Sequence, residues 1–142
     1  MGLDYGSKTV GVALSDPFGT IASPLETITR DREGKLRETF RRIAEIVREQ
    51  EVERIVVGDP VNMDGTAGER AQKSREFAEN LRYRLTCEGL SVPVLLCDER
   101  LTTVGADEIL DEAGVPKRER KTYIDKIAAA LILEQCLKER KE

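Results

Sequence analysis

The apolar residues of this 142-residue chain change their spacing partway along, and that change restricts the fold more than anything else in the sequence. In TVGVALS, residues 9–15, Val10, Val12 and Leu14 point one way and Gly11 and Ala13 the other, which is the two-residue period of a strand. A first apolar segment ends near Asp4, and YGSK turns it into the next as a hairpin. SDPFG is turn chemistry, and TIASPLETI reads as a third strand or sheet edge. Over residues 33–50 the period lengthens. Leu36, Phe40, Ile43, Ala44 and Val47 form a helical stripe, with Arg37, Arg41 and Arg48 on a solvated face. RIVVG is a short buried strand and DPVNMDGTAGE a loop. A helix is predicted over 68–87, with Ala71, Ser74, Phe77, Ala78, Leu81 and Leu85 inward. SVPVLLCDE is a further buried strand. A short helix over 103–112, the basic connector GVPKRERK and a last helix over 121–139 complete the chain. The order β-β-β-α-β-α-β-α-α implies an α/β fold, a mixed sheet covered by helices. With no repeat, low-complexity tract or linker, residues 1–142 are expected to form a single domain.

Composition removes several chemistries. There is no histidine, so histidine-based nucleophile systems and histidine-ligated zinc are excluded. The three cysteines, Cys87, Cys97 and Cys136, are far apart, form no CxxC pair and suggest neither a zinc site nor a disulfide framework. No apolar run approaches a membrane span and no secretory leader is visible, so a cytoplasmic location without membrane partners is expected. A net charge of −4 argues against a generally basic coat but leaves room for a local basic face.

Three acidic positions stand apart from the many surface acids. Asp4 ends the first apolar segment between Gly2 and Gly6. Asp98 and Glu99 follow VPVLLC at the carboxyl end of an interior strand, where open α/β sheets gather their ligands. Asp125 lies in the apolar helix YIDKIAAALIL, with Ala128, Ala129 and Ile132 forming a stripe beside it that packs on the sheet. Each has an ordinary reading: Asp4 as a turn residue, Asp98 or Glu99 as a partner of Arg100, Asp125 as a first-turn helix acid. Together they form a different pattern. Carboxylates beside apolar faces are costly unless paired or metal-bound. In a chain without histidine, an oxygen cluster suits Mg²⁺ or Mn²⁺ and metal-assisted phosphodiester hydrolysis. Alternation puts Leu95, Cys97 and Glu99 on one face of their strand and Leu96 and Asp98 on the other, and leaves open which face meets the site.

The segments GLDYGSKTVGVALSD, IVVGDPVNMDGT, CDERLTTVGA and DKIAAALILEQCL, in that order and spanning nearly the whole chain, resemble the YqgF/RuvX-like family of the RNase H-like superfamily. The resemblance implies an RNase H-like fold with a five-stranded mixed sheet and helices on both faces. It implies a divalent-metal nuclease of pre-16S rRNA processing in ribosome biogenesis. The family has also been described among Holliday junction resolvases, which act on four-way DNA. The family's catalytic, metal-holding acids resemble Asp4, Glu99 and Asp125, which selects Glu99 over Asp98 and leaves Asp98 as a supporting or structural partner. The family usually has an apolar residue where Asp59 stands, so Asp59 is expected either to add negative charge near the site or to cap its loop.

In this reading Asp4, Glu99 and Asp125 hold one or two Mg²⁺ (or Mn²⁺) ions, and Gly6 lets the phosphate approach the backbone. Candidate nucleic-acid contacts are Lys8, Asn62 and Arg100, together with Lys117, Arg118, Arg120 and Lys121 of the connector that leads into the Asp125 helix. Three Tyr, three Phe and no Trp favour recognition of backbone over base stacking. RNA is the preferred substrate, with structured DNA as the alternative. RNA-end trimming needs only a monomer, whereas a two-fold junction invites a homodimer. Two other classes compete. One is an ATP-binding domain of the actin and sugar-kinase type, for whose two lobes the chain is too short. The other is a non-catalytic RNA-binding or ribosome-assembly module, which the presence of all three acids disfavours.

Overall fold

The computed structural model describes residues 1–16, 19, 21–60, 68–98, 108–116 and 119–141. Its strands are β1 (Gly2–Tyr5), β2 (Thr9–Ser15), β3 (Ala22–Thr29), β4 (Ile55–Asp59) and β5 (Val94–Asp98). Its helices are α1 (Arg37–Glu49), α2 (Glu69–Cys87), the turn of helix α3 described over 108–112, and α4 (Arg120–Lys141). The strands form one sheet in the order β3-β2-β1-β4-β5. β1, β2 and β3 pair antiparallel, and β4 and β5 extend the sheet parallel to β1.

Strand parity divides the side chains between two layers. On one face Leu3, Tyr5, Val10, Val12, Ile55, Val57 and Val94 pack against Phe40, Ile43 and Val47 of α1 and Phe77, Leu81 and Leu85 of α2. The stripes read from the sequence are the buried ones: all six residues expected to face inward on α2 do so. At the centre of this layer Phe77 lies between Tyr5, 4.4 Å away and nearly parallel, and Phe40 at 5.5 Å. On the other face α4 covers Ala13 with Ala129, Ala130 and Leu133, and covers Val56 and Cys97 with Ile132.

α1 starts at Arg37 rather than at residue 33. The reason is non-local: Glu33 is drawn into a turn and pairs with Arg70 and Lys73 of α2. The edge strand β3 is fastened to α1 by Arg42, whose Nη2 and Nε donate to the two carboxylate oxygens of Glu26 at 2.6 and 3.1 Å. Of the arginines on the outer face of α1, Arg41 pairs with Glu38 and Glu45, and Arg48 with Glu88, as a solvated face would. Among the described residues no helix is long and apolar enough to cross a membrane.

Phe77 is 1% exposed and serves as the contact between α2, α1 and β1. Phe77→Ala is expected to lower the unfolding free energy by about 3–5 kcal/mol. A urea titration checks this: the midpoint falls while the slope holds.

Candidate active site at the carboxyl end of the parallel strands

β1, β4 and β5 run parallel, so the carboxyl ends of all three open on one end of the sheet, with the β1–β2 turn beside them. Asp4 is one residue from the end of β1 and stands directly opposite Gly11 of β2. Residues opposed in an antiparallel ladder project to the same face. Gly11 is on the α4 face, because a Cβ placed on it would overlap the Asp125 carbonyl and stand 2.8 Å from the Lys126 amide nitrogen. The backbone of α4 at Asp125 therefore rests on the strand that pairs with Asp4, and the two acids share one face at one end of the sheet. Both are half-buried. A second close approach continues the contact down the helix: a Cβ on Gly2 would lie 2.6 Å from the Ala129 carbonyl. Asp125 is in the second turn of α4, beyond the reach of a first-turn dipole account.

The described part of β5 shows which of its sides meets α4. Cys97 packs with Val56 and Ile132 on the α4 face, and its thiol faces the Ile132 carbonyl at 3.9 Å. Asp98 is on the opposite face, in register with Asp59. Asp59 belongs to that opposite layer too: Arg75 of α2 grips it with Nη2–Oδ2 at 2.9 Å and Nε–Oδ1 at 3.2 Å. The Asp59 charge is thus engaged by a guanidinium on the far side of the sheet from Asp4.

Of the remaining sequence candidates, Lys8 is exposed in the β1–β2 turn. In that turn the Gly6 amide donates to the Thr9 carbonyl at 2.7 Å, and a Cβ on Gly6 would crowd Thr9 Oγ1 at 3.1 Å. Glu99, Asn62, Arg100, Lys117 and Arg118, and the side chains of Arg120 and Lys121, lie outside the described residues. Gly11 was not singled out as a site residue by the sequence reading. The available signal was a glycine inside an alternating strand, which marks a close backbone approach. Asp4 and Asp125 are carboxylates, a donor type that suits a hard cation such as Mg²⁺ or Mn²⁺. Among the described residues no three acids or cysteines gather tightly enough to enclose an ion.

The same fold occurs in solved structures of Thermus thermophilus RuvC. One is in complex with a Holliday junction substrate, with a TM-score of 0.57, 14% identity and coverage of 99% of this chain and 93% of that one. The other has a TM-score of 0.57 at 17% identity. The sheet order and these neighbours define an RNase H-like fold. Over residues 1–139 the chain also matches the model of the RuvX family, described as Holliday junction resolvase. A protein of Lachnospira eligens named "Putative pre-16S rRNA nuclease" is 56% identical over 133 residues, 94% of this chain and 91% of its own length. Proteins of the same name from Listeria monocytogenes and Thermoanaerobacter pseudethanolicus are 50% and 48% identical, over 96% and 99% of this chain and 95% and 96% of their own lengths. The chain belongs to the RuvX family.

Gly11→Ala is expected to cost about 3 kcal/mol of stability, because the added methyl meets helix backbone that has no freedom to turn aside. Gly34→Ala, where a Cβ meets nothing within 4 Å, is the control and is expected to stay within about 0.5 kcal/mol of the parent. Urea midpoints of the two variants compare them directly.

Proposed function

We propose that this chain is a divalent-metal-dependent nuclease that hydrolyses phosphodiester bonds in RNA, in 5′-end processing of pre-16S rRNA in the cytoplasm. The observation that carries the reading is the seating of α4 on Gly11, which brings Asp125 to the face and the end of the sheet where Asp4 stands. The naming of relatives about half identical to this chain supports the substrate.

Asp4 and Asp125, with Glu99, are the residues that would hold the metal. When bound, Mg²⁺ or Mn²⁺ supplies charge neutralisation on the phosphodiester and acidifies a water. The carboxylates fix the geometry. Asp4 is held by a strand paired on both sides, and Asp125 by a helix whose backbone is in contact with that sheet, so neither reorganises as charge develops. In hydrolysis the water oxygen bonds to phosphorus, the bond to one ester oxygen breaks, and that oxygen leaves as a protonated hydroxyl. Lys8, in the turn beyond Asp4, is a phosphate contact, as are Asn62, Arg100, Lys117, Arg118 and Lys121. Cutting of four-way DNA is the second reading, favoured by the family's description and by the fold shared with a junction-bound RuvC.

The purified protein is to be offered a pre-16S rRNA precursor and a four-way DNA junction, with Mg²⁺, with Mn²⁺ and with EDTA. RNA cleavage that EDTA abolishes is expected. Asp4→Asn and Asp125→Asn are expected to lower its rate by about 100-fold or more while keeping the parent's melting temperature. Full metal-dependent cleavage by folded Asp125→Asn defeats the site assignment. Symmetric junction cutting without RNA cleavage reverses the choice of substrate. RNA binding without any cleavage makes the chain a binding module.

A further inference from the structure

On the other side of β1 from Asp4, two guanidinium groups share one aromatic ring. Tyr5 directly follows Asp4 and projects to the α2 face. Phe77 stacks on one side of its ring at 4.4 Å and an interplanar angle of 16°. The guanidinium carbons of Arg30 and Arg70 lie 4.8 and 5.5 Å from the ring centroid. Arg30 is held against the β1–β2 turn: Nη2 donates to the Gly6 carbonyl, Nε to the Glu33 carbonyl at 3.1 Å, and its backbone amide to the Lys8 carbonyl at 2.8 Å. Arg70 is in the first turn of α2 and donates through Nη1 to Glu33 Oε1 at 2.6 Å.

Two features of this cluster are unbalanced. Arg30 Nη1 and Arg70 Nη2 are buried and have no acceptor among the described residues. Buried donors in folded proteins are almost always paired, and an orphaned one points to a partner beyond the described residues. The charges do not cancel either. Lys73 shares Glu33 with Arg70, at 3.5 Å, and reaches Glu69 at 3.6 Å, so among the described residues three cations face two carboxylates. Arg30 has no carboxylate partner among the described residues, and its own bonds are to carbonyls. The Arg70 guanidinium hydrogen-bonded to Glu33 holds that carboxyl below the usual carboxylate range. The first turn of α2 adds the positive end of a 19-residue helix, whose N-cap, Gly68, contributes no side-chain bond.

We propose that Arg30 and Arg70, braced on Tyr5, form a phosphate subsite for the nucleic-acid backbone on the α2 side of β1, beside the acid site. A backbone phosphate carries one negative charge and two free oxygens, which offset the excess cation and accept from the two orphaned N–H groups. Guanidinium is suited to this because its fork matches oxyanion geometry. The subsite rests on the nuclease reading for its ligand, but its binding step needs no metal and can be read separately.

The test is fluorescence anisotropy of the full chain with a labelled oligouridylate dodecamer in EDTA, across a salt series, with melting temperatures alongside. The parent is expected to bind. Arg70→Gln is expected to weaken binding about tenfold and to reduce the salt slope by about 0.7, the share of one phosphate contact on a single strand. Arg30→Lys keeps the charge but loses the fork, and is expected to weaken binding while leaving the slope in place. In cleavage assays the arginine variants raise KM and leave kcat near the parent value. A parent that fails to bind at low salt overturns the subsite, as do folded Arg70→Gln and Arg30→Lys variants with parental affinity. Arginine-dependent binding with no cleavage of any substrate leaves the subsite standing and removes the nuclease reading. Cleavage with arginine-independent binding does the reverse.

Discussion

The contact on which the rest of the arrangement depends is backbone against backbone. α4 reaches the sheet only because Gly2 and Gly11 carry no side chain where the Ala129 and Asp125 carbonyls come down. Ala13 beside them and the alanines of α4 continue a thin layer, while the opposite layer is filled by Phe77, Leu81, Ile43 and the valines of β2. One face of the sheet is thus bulky and the other bare. The bare face brings the helix in at close range, and a helix held at close range delivers a side chain with little positional freedom. Asp125 inherits its position from that approach rather than from its own contacts.

Much of this was legible in the primary structure. The two-residue alternation of Val10, Val12 and Leu14 against Gly11 and Ala13 survives intact as strand β2, and the inward residues of α2 were all identified from their spacing. A mixed sheet covered by helices followed from the order of elements. What escaped is non-local. The start of α1 moved because Glu33 is claimed by residues about forty positions away. The side of β5 that meets α4 depends on which helix packs where, and alternation alone carries no such label. Asp59 looked like an intruder near the acids until Arg75, one element further on, proved to hold it on the far layer.

Charge follows a related logic. The chain is acidic overall, and many of its ion pairs are exposed pairs within one helix turn, such as Arg41–Glu38 and Lys138–Glu134, which contribute little. Among the described residues the pairs that join distant segments are fewer, and they serve geometry. Arg42–Glu26 fastens an edge strand to α1, and Arg70–Glu33 ties the segment before α1 to the start of α2.

Strand parity has a consequence for the shape of any polymer that uses both sides of β1. Asp4 and Tyr5 are neighbours in one extended strand, so they project in opposite directions with only the thickness of a polypeptide backbone between them. The acids open toward α4 and the guanidinium pair toward α2. A chain of phosphates that touches both must fold over the rim of the sheet at the β1–β2 turn, reversing course within a few nucleotides. A stiff double helix resists such a bend. A single strand, a frayed end or the open centre of a branched junction adopts it readily, so with the proposed phosphate subsite in use the parity of two adjacent residues would act as a filter on nucleic-acid flexibility.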